Sequence, residues 1–272
     1  MPEHLSTDCV SLDMISKVIK FCSWNIHGYN SRLIGNKFED KEFLKIFEDM
    51  DFIGITETHI HTEVLDKMSI PGFHRLKTKN QSKNKKSNTA SKGIAVFVKE
   101  TLEDFFVLEN TNNDDAIWVK IKKEKSGENK DIFIGTCYLN PSKSKKTDGK
   151  IARLSEEIVS LQSKGEVIVM GDFNARTGNE SDTITPDKSD ELFDINFTSP
   201  PPARNSRDTD LDQRGKDLLD LCKSADLHIV NGRKTGDLFG DFTCIKYNGN
   251  SVVDYLITSP RVFDNTPFLK VG

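Results

Sequence analysis

No stretch of this sequence stays apolar for the length needed to cross a bilayer, and its opening residues, MPEHLSTDCV, carry no apolar core of a secretory leader. The expectation is a nuclear or cytoplasmic protein, not a secreted one, with no membrane partner. Paired cysteines are missing too. Cys9, Cys22, Cys137, Cys222 and Cys244 are odd in number, far apart and never spaced Cys-x-x-Cys. That spacing excludes a disulfide framework and a cysteine zinc site, and leaves reduced thiols. Positive charge is not in excess. The net charge is -4, which argues against a generic nucleic-acid binder. No internal repeat and no linker divides the chain. Residues 1–16 read as a loose tail and 17–272 as one domain.

What is present is alternation. Strand-like apolar runs occur at VIKFCSW, DFIGIT, GIAVFVK, AIWVKIK, DIFIGTCYL, EVIVM, LHIV, DFTCI and SVVDYLIT. Helical spacing appears between some of them. Phe43, Ile46, Phe47 and Met50 fall on one face of EFLKIFEDM. Ile151, Leu154, Ile158 and Leu161 do so in KIARLSEEIVSLQSK, and Leu218, Leu221, Cys222 and Ala225 in KDLLDLCKSADL. Strands outnumber helices, and several follow one another with only loops between. A purely parallel sheet needs a crossover at nearly every step. Two mixed β-sheets packed face to face, with helices outside, fit the order better. The polar stretch from Asn179 to Asp210 reads as a long surface loop.

Several apolar runs end in, or carry, a polar residue. VIKFCSWN ends at Asn25, DFIGITE reaches Glu57, and IFIGTCYLN delivers Tyr138 and Asn140. VIVMGDFN delivers Asp172 and Asn174, and SVVDYLIT carries Asp254. Each has a plain structural explanation: an Asx turn for Asp172, a core ring with its hydroxyl at the rim for Tyr138. Asp254 is harder to dismiss, because a carboxylate inside an apolar strand needs a partner. Together they form a coherent chemical set. Glu57, Asp172 and Asp254 are hard oxygen ligands suited to Mg2+ or Mn2+. Asn25 and Asn174 orient water or phosphate without adding charge, and Tyr138 donates to a phosphate oxygen. This inventory suits metal-assisted attack of water on a phosphodiester. The run from Lys77 to Lys92 holds six lysines and no acid. It is either a solvated loop or a contact for a phosphate backbone, with Lys83, Lys85 and Lys86 at its centre.

The blocks WNIHG, TETH, YLNPS, GDFNAR, DFTC and VVDYLI resemble, in order and spacing, those of the endonuclease/exonuclease/phosphatase family, from about Val18 onward. The finer pattern, ITETHI, IPGFHRLKT, KGIAVFVKE and RNSRDTDLDQRGKDLLDLCKSADLHIVNG, is most similar to endonuclease domains of non-LTR (LINE-type) retrotransposons and to craniofacial-development-protein-2-like sequences. The resemblance implies an α/β fold, a four-layer α/β sandwich with a divalent-metal site at one edge and DNA as partner. It implies Glu57 as principal metal ligand with Asn25 beside it, and Tyr138 at the scissile phosphate. Asp172 and Asn174 would orient the water, Asn140 and Thr243 would lie near the DNA, and Asp254 would pair with a catalytic histidine.

Two departures stand out. Repair members of the family carry an acid where this chain has His27. The family's closing Ser-Asp-His block is absent from the sequence, and none of His4, His27, His59, His61, His74 and His228 has that context. His59 and His61 flank the Glu57 loop and read first as surface residues, with substrate contact as the second reading. The expectation is a domain truncated before its final block, either as a piece of a longer element or as a degenerate copy, with metal binding better supported than turnover. A catalytically dead interaction module and a phosphatase acting on small molecules or lipids stand as the alternatives.

Overall fold

The computed structural model describes residues 8–14, 18–79, 92–141, 149–184, 200–247 and 249–272. Its strands in chain order are β1 (Asp8–Asp13), β2 (Val18–Asn25), β3 (Asn30–Ser31), β4 (Gly35–Asn36), β5 (Phe52–Thr56), β6 (Phe73–Lys79), β7 (Ile94–Lys99) and β8 (Phe106–Glu109). They continue with β9 (Ala116–Ile121), β10 (Asp131–Tyr138), β11 (Gly165–Asp172), β12 (His228–Ile229), β13 (Cys244–Lys246), β14 (Gly249–Ser251), β15 (Asp254–Thr258) and β16 (Phe268–Lys270). The helices are α1 (Lys41–Lys45), α2 (Lys123–Ser126), α3 (Lys150–Gln162), α4 (Gln213–Ser224) and α5 (Pro260–Asp264). Two six-stranded sheets result, ordered β16-β1-β2-β5-β7-β6 and β12-β15-β11-β10-β9-β8. Both are mixed. The β2–β5 pair in the first and the β10–β11 pair in the second are parallel, and the other pairs are antiparallel.

The apolar runs are continuous because both faces of the central strands are covered. Side chains alternate along a strand. Ile19 and Phe21 of β2, Val96 and Val98 of β7, Ile132 and Ile134 of β10, and Ile168 and Met170 of β11 share one core between the sheets. The intervening residues face outward. Phe133, Val167 and Val169 pack on Ile151, Leu154, Ile158 and Leu161 of α3 and on Leu218, Leu221 and Cys222 of α4, as the helical spacing of those segments predicts. On the other flank, Trp24 and Ile53 pack under Phe43 and Phe47, with Trp24 stacked on Phe43 at 4.9 Å between centroids. The sheets approach closely at Gly54 of β5. A methyl group there would lie 2.6 Å from Thr136 Oγ1 of β10, so no larger residue fits without a shift.

Three expectations need correction. Asp8–Asp13, inside the segment read as a tail, is a strand. It pairs with β2 and β16 and places Val10 and Leu12 in the inter-sheet core. The helix over EFLKIFEDM stops at Lys45. Bonds from Phe47 N to Leu44 O and from Met50 N to Phe47 O then close three-residue turns, and Ile46 faces solvent at 37% exposure. SVVDYLIT is not one strand: β14 ends at Ser251 and β15 begins at Asp254. Asp254 therefore sits at a strand's first position and is half-buried. The long polar segment holds no helix or strand among its described residues, 179–184 and 200–210.

Candidate active site

The site lies where the inter-sheet core runs out at one edge. On β2 the inward row is Ile19, Phe21, Ser23 and then Asn25. On β10 it is Ile132, Ile134, Thr136 and then Tyr138. On β11 it is Ile168, Met170 and then Asp172. Register aligns the ends. Asn25 pairs with Thr56, after which β5 turns at Glu57. Tyr138 pairs with Asp172, and Asp172 with Asp254. The alternation that fills the core with aliphatics therefore aims the last residue of each row into one shared mouth.

At this mouth two hydrogen bonds cross from sheet to sheet. Tyr138 Oη donates to Glu57 Oε1 at 2.8 Å, and Asn25 Nδ2 donates to Asp172 Oδ2 at 2.8 Å. Asn25 Oδ1 accepts from the His27 amide at 3.0 Å, and Asp172 Oδ1 accepts from the Asn174 amide at 2.8 Å. Asp172 thus forms the Asx turn and also faces Asn25. The Asn174 side-chain nitrogen is buried with no hydrogen-bond partner among the described residues, a donor that water or a phosphate oxygen would satisfy. The backbone here is strained. Six described non-glycine residues have positive φ, and five of them, His27, Glu57, His59, Lys92 and Asn174, lie at this mouth or in the turns that form it. The Glu57 turn is pinned by bonds from Gly28 N to Glu57 O at 2.6 Å and from His59 N to Lys92 O at 2.8 Å.

The titratable groups are pushed apart. Burial alone would raise the Glu57 carboxyl, but bonds from His27, Tyr138 and Asn25 and the charge of His59 outweigh it and hold it at about 2. Burial raises Asp172 to about 7, against the Asn174 amide and Asn25, with the Glu57 charge adding to the rise. Burial and the Glu57 charge push the Tyr138 phenol well above its ordinary value, so it stays a donor. One carboxylate is firmly ionised and its neighbour sits near neutrality, which is the separation that acid–base sites use.

The sequence reading missed the histidine shell. His27 Nδ1 lies 3.0 Å and His59 Nε2 3.6 Å from Glu57 Oε2, with the rings edge to face at 5.9 Å. His59 is not a plain surface residue. A signal was present: in Asn25-x-His27 and Glu57-x-His59 a histidine stands two residues past each of the two site residues.

The remaining candidates differ in placement. Asn140 lies beside the site, its Oδ1 accepting from Lys150 Nζ, which also bonds Asp115 Oδ1 at 3.0 Å. Thr243, expected beside the DNA, is only 4% exposed. Its Oγ1 accepts from the amides of Val253 and Asp254 at 3.0 Å each, so it fixes the start of β15 instead of offering a surface. Lys83, Lys85 and Lys86 lie outside the described residues.

The donor set fits a hard divalent cation of modest demand. Among the described residues no three His, Cys, Asp or Glu side chains are grouped to hold a metal. An ionised Glu57 beside the Asn25 amide matches the habit of Mg2+, which takes one or two carboxylates and fills its shell with water and phosphate oxygens.

The family model described as Endonuclease/Exonuclease/phosphatase matches residues 22–267. Solved structures share the architecture. The catalytic domain of Xenopus laevis APE2 is 15% identical, covering 90% of this chain and 83% of that one, with a TM-score of 0.56. A Neisseria 3′ phosphatase bound to a product DNA hairpin is 15% identical over 90% and 88%, with a TM-score of 0.54. A mannosyl-6-phosphatase from Bacteroides thetaiotaomicron is 16% identical over 89% and 85%, with a TM-score of 0.52. Identities this low establish likeness of fold alone. A search of curated proteins finds no match.

Proposed function

This chain belongs to the endonuclease/exonuclease/phosphatase family, and from that premise we propose that it is a divalent-metal-dependent phosphodiesterase that nicks DNA, of the non-LTR retrotransposon type. The observation that carries the reading is the pair of cross-sheet bonds, Tyr138 to Glu57 and Asn25 to Asp172. They gather a phenol, an amide and two carboxylates of unequal acidity into one mouth. Glu57 and Asn25 would hold Mg2+ or Mn2+, which would neutralise charge on the phosphate. Tyr138, kept protonated, turns its hydroxyl from Glu57 to a phosphate oxygen. Asp172 and Asn174 orient the attacking water, with the Asn174 side-chain nitrogen, unpartnered among the described residues, as its second anchor. Asn140, two residues past Tyr138, stands ready for a flanking contact.

DNA is favoured over a small phosphate ester by the six-lysine run from Lys77 to Lys92 and by a neighbour that was solved with a DNA hairpin. The phosphatase reading draws its support from the sugar-phosphatase neighbour. Incubation with supercoiled plasmid and Mg2+, beside phosphoinositides, nucleotides and mannose 6-phosphate, separates the two. Plasmid nicking that disappears in Asp172→Ala is the expected result. Release of phosphate from the small esters without nicking overturns it in favour of a phosphatase. No turnover of any substrate leaves an interaction module.

A further inference from the structure

Helix α4 reaches the site from outside both sheets. Its cap, Asp212, accepts from the Gly215 amide at 2.6 Å and from the Arg176 amide at 3.2 Å, and its own amide donates to Arg176 O at 3.0 Å. Gly215 permits this contact. A methyl group there would lie 1.8 Å from Arg176 O, so any other residue would drive the helix away. The start of α4 is thereby pressed onto the segment that follows Asn174.

This seat carries Arg214 into the interior, between the loop after β10 and the loop after β11. Its Nη1 faces four backbone carbonyls: Leu139 at 3.4 Å, Asn140 at 3.0 Å, Phe173 at 3.4 Å and Asn174 at 3.3 Å. One nitrogen has two protons for four acceptors, so the group works as a shared cation among converging dipoles. Two of the carbonyls belong to the Tyr138–Asn140 side of the mouth and two to the Asp172–Asn174 side. A bond from Leu139 N to Asp172 O at 2.8 Å joins the same two strand ends.

We infer that Arg214 is a positioning residue: it sets the spacing between the loop that presents Tyr138 and Asn140 to the phosphate and the loop that presents Asp172 and Asn174 to the water. The inference rests on the phosphodiesterase reading for its consequence, not for its geometry. Arginine suits the task because its planar, permanently charged fork holds several acceptors in one fixed arrangement, which a lysine point charge does not. Displacing either loop by an ångström misaligns the reacting groups, a change worth about a hundredfold in rate.

The test compares wild type with Arg214→Ala and Arg214→Lys in plasmid nicking, with and without guanidinium ion or urea. The side-chain amide resonance of Asn174 is followed in parallel. Arg214→Ala is expected to lose about a hundredfold in kcat with KM within about threefold. Guanidinium ion is expected to restore at least about tenfold of that loss and urea none, with Arg214→Lys in between. The Asn174 resonance moves in the alanine variant and returns with guanidinium ion. An unchanged kcat, or a loss that guanidinium ion leaves in place with the Asn174 resonance unmoved, overturns the inference. If Arg214→Ala does not fold, Arg214→Lys carries the same comparison. If wild type does not nick DNA, the phosphodiesterase reading fails, and the Asn174 resonance alone decides the role of Arg214.

Discussion

Two buried acids in this chain are held in opposite ways. Asp182 meets both forks of Arg233, with Nη1 at 2.6 Å from Oδ2 and Nη2 at 2.7 Å from Oδ1, and accepts from the Ile229 amide at 2.7 Å. Its carboxyl lies below the ordinary value: burial opposes ionisation, but the guanidinium wins. Asp208 repeats the pattern with Arg176 at 2.8 and 2.6 Å. Asp172 accepts from two amides instead and is raised to about 7, in a mouth lined by left-handed backbone. An acid matched to a guanidinium has its proton question closed and serves the fold. An acid matched to amides stays able to exchange a proton or hold a water, and the surrounding structure bears the strain.

The contrast breaks if the two acids respond alike to the same substitution. Asp172→Asn should lower the nicking kcat/KM by about 10³-fold while leaving the melting temperature unchanged or raised, because it removes a poorly neutralised buried charge. Nicking kinetics and a melting curve on one preparation check both halves. Asp182→Asn should do the reverse. It strands Arg233 in the interior and destabilises the fold by about 3–5 kcal/mol, with unaltered nicking per folded molecule; urea unfolding measures it.

Acid sharpens the same point. The Asp182 carboxyl is depressed on folding, so its contribution is complete above the unfolded value of about 4 and fades as pH falls through the folded value. The stability gap between wild type and Asp182→Asn should hold constant from neutrality to about pH 4 and narrow below it. A gap that is flat throughout would show that Arg233 does not hold the acid down. The smallest effect concerns strain. His59 sits at φ 48°, so His59→Gly should stabilise the fold by about 0.5 kcal/mol, the left-handed penalty less the entropy of glycine. A loss of stability would mean that the His59 ring contributes more than its backbone costs.

Much of this arrangement was legible because alternation is a local property. Helices α3 and α4 bury the residues that their spacing selects. The rows ending in Asn25, Tyr138 and Asp172 follow from counting every second residue back through the apolar run. The failures have local causes as well. In β1 only Val10 and Leu12 carry the alternation, too short a pattern to separate from a tail. Helix α1 gives way to tighter turns that spacing does not distinguish. Thr243 was placed at the DNA by resemblance, yet the amides of Val253 and Asp254 claim its hydroxyl. The four carbonyls that Arg214 Nη1 faces lie 40 to 75 residues away in sequence, and no pattern within one segment can announce contacts with distant loops.

The strand pairing has a consequence for how the protein is made. Asn25 and Asp172 are 147 residues apart and Glu57 and Tyr138 are 81 apart, while β1, near the start, pairs with β16 at Phe268–Lys270. On a ribosome β1, β2, β5, β6 and β7 emerge before the second sheet, and the outer edge of β1 stays without its partner until β16 has been synthesised. Contacts this distant slow folding, and the unpaired edge is exposed to other chains for that interval. The nascent protein therefore depends on β16, distant along the chain, to shield the outer edge of β1.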